Sequence, residues 1–165
     1  MSGLTAHYSK PKLLLFELGA LAFVALGIFL LTRPDPPLKY IMAGSAALAF
    51  FGLCAAVIAA RLFETRPVLI IDAEGIFDRR ATDRVLPWSA IADIAEARIR
   101  RQRFWFVQPA VPLNQYAESR YKRWLIRLNG PWAGSGFFIS ASGLDVSYEA
   151  IGEAISRSWP TTPGP

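Results

Sequence analysis

Apolar and polar positions are first segregated along this chain and only later alternate. Leu13 to Leu31 is apolar apart from Glu17, and Tyr40 to Ala60 carries no charge. As helices rising 1.5 Å per residue, these runs span about 28 and 31 Å, close to the hydrocarbon thickness of a bilayer. Between them lies Thr32-Arg33-Pro34-Asp35-Pro36-Pro37-Leu38-Lys39. Prolines and charges at that density end a helix and do not belong in lipid. The pattern therefore predicts a transmembrane α-helical hairpin over 13–60, with helices at about 13–31 and 40–60. A cleaved signal peptide fits the first run less well, because the run is long for one and no small-x-small site follows it. A buried soluble hairpin fits poorly as well, since 40–60 has no polar face.

Beyond residue 65 the pattern changes. Pro67 to Asp72 is a short β-branched run, Asp72-Ala73-Glu74-Gly75 has turn chemistry, and Ile76 to Arg80 returns. Val85 to Trp88 opens the next element. The stretch Ser89 to Arg100 contains an alternating strand, a turn is expected at Arg101-Gln102, and Arg103 to Val107 forms the partner strand. Residues 108–122 read as a loop or a short helix. Arg123 to Leu128 alternates like a strand, Asn129 to Gly136 like a turn, and Phe137 to Ser140 is the last strand. Ser147 is a good N-cap, Glu149 suits a first helical turn, and Ile151, Ile155 and Trp159 form one apolar stripe. Pro160 ends that helix. The expected organisation is a cytoplasmic tail at 1–12, the hairpin, a domain at 66–159 and a disordered tail at 160–165.

The order of short strands closed by a helix resembles the pleckstrin-homology-like fold. The carrying residues are Pro67 to Ile76, then Leu86-Pro87-Trp88-Ser89-Ala90-Ile91, then Phe138-Ile139-Ser140 and Leu144-Asp145. The whole chain is similar to small bacterial membrane proteins of unassigned function that place two transmembrane helices ahead of such a domain. The resemblance implies a mainly-β, PH-like antiparallel barrel or sandwich of about six or seven strands, capped by a C-terminal α-helix. It brings no catalytic residues, and fold alone does not assign function.

Composition narrows the chemistry. Of 165 residues, 53% are hydrophobic, and the formal charge is +5. Lys10, Lys12, Arg61 and Arg66 flank the apolar pair while the turn holds only Arg33 and Lys39, so the positive-inside bias places both termini in the cytoplasm. By the resemblance, the location is the bacterial inner membrane. Cys54 is the only cysteine and His7 the only histidine, which leaves no disulfide framework, metal ligand set or histidine-based triad. Asp72, Glu74, Asp78 and Asp83 lack the spacing of a calcium loop and read as turn and edge acids. No catalytic residue, metal or cofactor is expected, and the chain reads as non-enzymatic.

Two constellations remain. Arg98, Arg100, Arg101 and Arg103 surround a hairpin turn with aromatics behind it, a pattern suited to clamping anionic lipid headgroups. An ordinary solvated hairpin with Phe104 and Phe106 in the core accounts for the same residues. Arg123 and Arg127 would share a strand face and extend that basic surface. Nucleic acid is not the expected partner, because the basic surplus after residue 65 is small and the chain is tethered. In the second apolar run, Ala43 and Ala47, and Gly52, Ala56 and Ala60, recur at four-residue spacing and suit helix packing, within the hairpin or in a homo-oligomer. Glu17 reads as a carboxylate snorkelling to water near Lys12. The leading expectation is a membrane-tethered binding or scaffold module whose partner is lipid, a peptide or another protein. The alternative is an accessory subunit assembled through the hairpin.

Overall fold

The computed structural model describes residues 3–124 and 136–159. The chain divides into two compact units, one made of residues 8–65 and the other of residues 1–7 with 66–165.

The first unit is a pair of helices, α1 (Lys10–Leu31) and α2 (Leu38–Leu62), both long and apolar enough to cross a membrane. Pro11 lies in the first turn of α1, where its missing N–H costs nothing. The Oγ1 of Thr32 donates to the carbonyl of Ile28 at 3.0 Å and closes the last turn. The connecting turn holds Asp35 at φ 46°, and Arg33 lies over the rings of Phe29 and Tyr40. The helices meet backbone to backbone at Gly27 and Gly44. A Cβ added to Gly27 would stand 3.0 Å from the Gly44 carbonyl oxygen. Phe23 and Phe51 stack beside this crossing, 4.3 Å between centroids.

The second unit holds two antiparallel sheets and a helix. The four-stranded sheet runs β1 (Leu4–Ala6), β2 (Leu69–Ile71), β3 (Gly75–Asp78), β4 (Leu86–Pro87), in that order. The three-stranded sheet runs β5 (Ile91–Ile99), β6 (Gln102–Pro109), β7 (Phe137–Ile139). Helix α3 (Tyr148–Ser158) follows. The core comprises Leu69, Ile71, Ile76, Leu86, Val107, Ile139, Leu144 and Ile151, all essentially inaccessible. Gly75 has φ +156° where β3 meets β4, and a Cβ there would fall 2.1 Å from the Leu86 carbonyl oxygen. The expected turn glycine is therefore fixed twice, by torsion and by space. Ser147 caps α3 by accepting from the Ala150 amide at 3.1 Å, as its sequence position predicts. The rings of Trp88 and Trp159 meet edge to face at 5.5 Å, tying the end of α3 to the core.

Four features differ from the sequence reading. The tail contributes a strand, β1, which pairs with β2 across the whole helical excursion. The hairpin turn lies at Arg100-Arg101, one residue earlier than expected, because Ile99 pairs with Gln102. Residues 120–124 are helical rather than the start of a strand. Asp83 explains this, since its Oδ2 accepts from the amides of Glu118 and Ser119 at 2.8 and 3.0 Å and caps the turn from a distant segment. The remainder of that expected strand, the turn after it up to residue 135, and the tail at 160–165 lie outside the described residues. Finally, Phe104 and Phe106 are not in the core: the β6 register turns Trp105 and Val107 inward and both phenylalanines outward.

Candidate functional site

The β5–β6 hairpin gathers most of the residues singled out by sequence. Its loop is two residues long, and Arg100 occupies the left-handed region at φ 55°. An L-residue there costs roughly 1–2 kcal/mol that glycine avoids. Arg98 stands directly across from Arg103, so four arginines crowd one end of the ladder.

They do not share one environment. Arg103 pairs with Glu149 on α3, and its guanidinium lies 4.3 Å from the centroid of the Tyr148 ring. Tyr148 in turn stacks on Trp105 at 5.1 Å, and the Trp105 Nε1 donates to the Tyr148 carbonyl at 3.2 Å. Gly152 allows this helix to approach, since a Cβ there would meet Trp105 at 2.5 Å. Arg103 is thus a clasp between hairpin and helix. The amide of Glu149 itself, followed by the hydrogen bond and field of Arg103, holds the Glu149 carboxyl below its ordinary range. Burial, reinforced by the nearby Glu96 carboxylate, pushes the Tyr148 phenol upward. The sequence marked Glu149 only as a first-turn acid and did not mark Tyr148, because no local pattern links Arg103 to a residue 46 positions away.

Arg98, Arg100 and Arg101 are exposed. Among the described residues their side chains enter no hydrogen bond, ion pair or ring contact. Arg123 is exposed on the helical segment, where its amide bonds to the Ser119 carbonyl at 3.1 Å, so the strand face it was expected to share does not form there. Arg127 lies outside the described residues.

Three of the acids noted in the sequence hold local structure. Asp72 Oδ1 accepts from the amides of Glu74 and Gly75 in the β2–β3 turn. Asp78, fully buried, accepts from the Arg80 guanidinium at 2.9 and 2.7 Å through both carboxylate oxygens. Lys122 Nζ donates to Asp83 Oδ1 at 2.6 Å and to the Thr82 carbonyl at 2.7 Å. Burial opposes ionisation of Asp83, but bonds from Lys122, Ser119 and Glu118 outweigh it and lower its pKa from 3.8.

In the helical unit the seam on α2 runs through Gly44, Ala47, Leu48, Phe51 and Ala55. Of the small residues picked out by spacing, Ala47 lies on it, whereas Ala43, Ala56 and Ala60 are exposed and Gly52 faces open space. Four residues advance a helix by about 400°, so a four-residue repeat drifts about 40° per step away from a straight seam. Glu17 is half-buried. Its Oε2 is shielded and has no hydrogen-bond partner among the described residues, so the carboxyl does not simply turn out to water.

No family model, curated protein or solved structure matches this chain.

Proposed function

We propose that this protein is a membrane-tethered, non-enzymatic binding module that uses the tip of the β5–β6 hairpin to hold anionic lipid headgroups. The observation that carries the reading is Arg100. The chain accepts a left-handed arginine at the apex of a two-residue loop, flanked by two more arginines whose side chains have no partner among the described residues. Strain kept at a loop tip points toward use of the side chain it presents. Guanidinium groups clamp phosphate through paired hydrogen bonds, and each basic group near an anionic leaflet contributes about 1 kcal/mol. The two apolar helices supply the tether, which makes weak contacts sufficient. Two antiparallel sheets with a C-terminal helix support a PH-like description of the domain.

The test uses the full chain in neutral detergent micelles, with or without added phosphatidylglycerol, and follows thermal unfolding by tryptophan fluorescence. Phosphatidylglycerol should raise the melting temperature of the wild type at low salt. The rise should vanish at high salt and in the triple variant Arg98→Glu, Arg100→Glu, Arg101→Glu. An equal rise in wild type and triple variant would refute the assignment to the tip.

A second reading is an accessory subunit assembled through the helices. It is favoured by Ala43, Ala56 and Ala60 lying off the hairpin's own seam, where another helix can approach closely. The mass of the solubilised particle, measured by light scattering, separates a lone chain from an assembly.

A further inference from the structure

We propose that the outer face of the three-stranded sheet seats directly on the surface of an anionic bilayer, with Phe104, Phe106, Phe138, Ala97 and Ile99 in the interface. This rests on the lipid-facing reading of the hairpin tip and extends it from a point contact to a surface. The register defines the face. Ile99 pairs with Gln102, Ala97 with Phe104, Ala95 with Phe106, and Phe138 lies beside Phe106 on β7. The Phe138 ring is 5.9 Å from Phe104 and 5.0 Å from Phe106, so the aromatic surface is continuous across two strands. Part of Phe106 is covered by Gly136, but Phe138 is 37% and Ile99 50% exposed.

A sheet with one face on the core normally turns polar residues to water on the other. Here the inward face carries Trp105, Val107, Phe137 and Ile139, and the outward face is apolar as well. Its polar positions are confined to the ends. Asp93 and Gln108 pair at one end, and Gln102 with Arg100 and Arg101 closes the other.

Charge selects the occupant. The exposed Ile99 leads directly into the Arg100-Arg101 loop, so the end of the face that carries an apolar side chain also carries two cations with no partner among the described residues. An apolar face edged by arginines matches the boundary between acyl chains and headgroup phosphates of an anionic leaflet. The chain's own apolar helices supply the bilayer at high effective concentration.

The test places a single nitroxide on the full chain in a Cys54→Ala background, at Ile99→Cys, Ala97→Cys or Phe138→Cys, with Glu74→Cys as a control. The chain is reconstituted in nanodiscs of phosphatidylcholine alone or mixed with phosphatidylglycerol. Accessibility to oxygen and to a water-soluble nickel complex is read by power saturation. With phosphatidylglycerol, labels at 97, 99 and 138 should gain oxygen and lose nickel accessibility several-fold, while the label at 74 stays aqueous. The label at 97 leaves all three phenylalanines in place, so the result does not hang on a disrupted aromatic cluster. Protection at 99 alone would overturn the face and leave the arginine tip standing. Aqueous labels at all three positions would overturn both.

Discussion

Two regions of the β unit treat their basic residues in opposite ways. Where β3 leaves the sheet, Arg80 is held by the buried Asp78 and also donates to the Ser140 carbonyl at 3.2 Å. Nearby, Lys122 is held by Asp83. At the β5–β6 tip, Arg98, Arg100 and Arg101 have no such partner among the described residues. Arg103 marks the boundary, since it faces the tip in sequence but belongs to the α3 clasp in space. One residue type thus serves two purposes. A guanidinium whose donors are spent on a carboxylate fixes the fold. One whose donors are open is available to a ligand, and its removal should leave the fold intact.

Stability measurements on the full chain test this division. The largest effect is expected at Asp78. Asp78→Ala strands the Arg80 guanidinium beside a buried gap and should cost about 3 kcal/mol in urea unfolding followed by tryptophan fluorescence. Lys122→Met should cost about 1.5 kcal/mol, because the ammonium bonds both Asp83 and Thr82 in a mostly buried position. That variant also has a signature in pH. The lowered Asp83 pKa means its contribution is complete above the unfolded-state value of 3.8 and is lost as pH falls through the still lower folded value. Lys122→Met should therefore show a shallower acid limb than wild type. The amide bonds from Ser119 and Glu118 should retain part of that limb.

At the tip the expected changes are small and one has the opposite sign. The triple variant Arg98→Gln, Arg100→Gln, Arg101→Gln should shift stability by less than about 0.5 kcal/mol. Arg100→Gly should raise it by about 0.5 kcal/mol, since glycine relieves the left-handed strain and gives part of that gain back as chain entropy. A loss above 2 kcal/mol in either would show that the tip is part of the fold's own scaffolding and would erase the contrast.

What was legible in the sequence follows from the range of the forces involved. The helices, the turn at Gly75, the hairpin and the Ser147 cap are set by residues within a few positions of one another, and the structure contains them. Strand β1 has three residues and no periodicity to display, and its partner lies beyond two helices. The helical segment at 120–124 depends on a carboxylate from residue 83. At the candidate site the arginines were evident but their division was not, because it is decided by Tyr148 and Glu149 on α3. The outward setting of Phe104 and Phe106 turns on strand phase, and a one-residue shift in phase exchanges the two faces of a strand.

Strand β1 also has a mechanical consequence. The chain leaves this strand after Ala6 and re-enters the sheet at Leu69, and these two residues are register partners. The helical pair is therefore a loop spliced between neighbouring antiparallel strands, with both its ends at one fork. A load applied through that loop pulls the fork open and breaks bonds singly, in the unzipping geometry, rather than shearing a row of them together. The bond from the Val68 amide to the Ala6 carbonyl at 2.8 Å stands at the fork. So does the exchange between His7 and Asp145, whose amides bond to each other's acceptors at 2.8 and 3.0 Å. Those few bonds stand first in line when the helical pair is pulled away from the sheet.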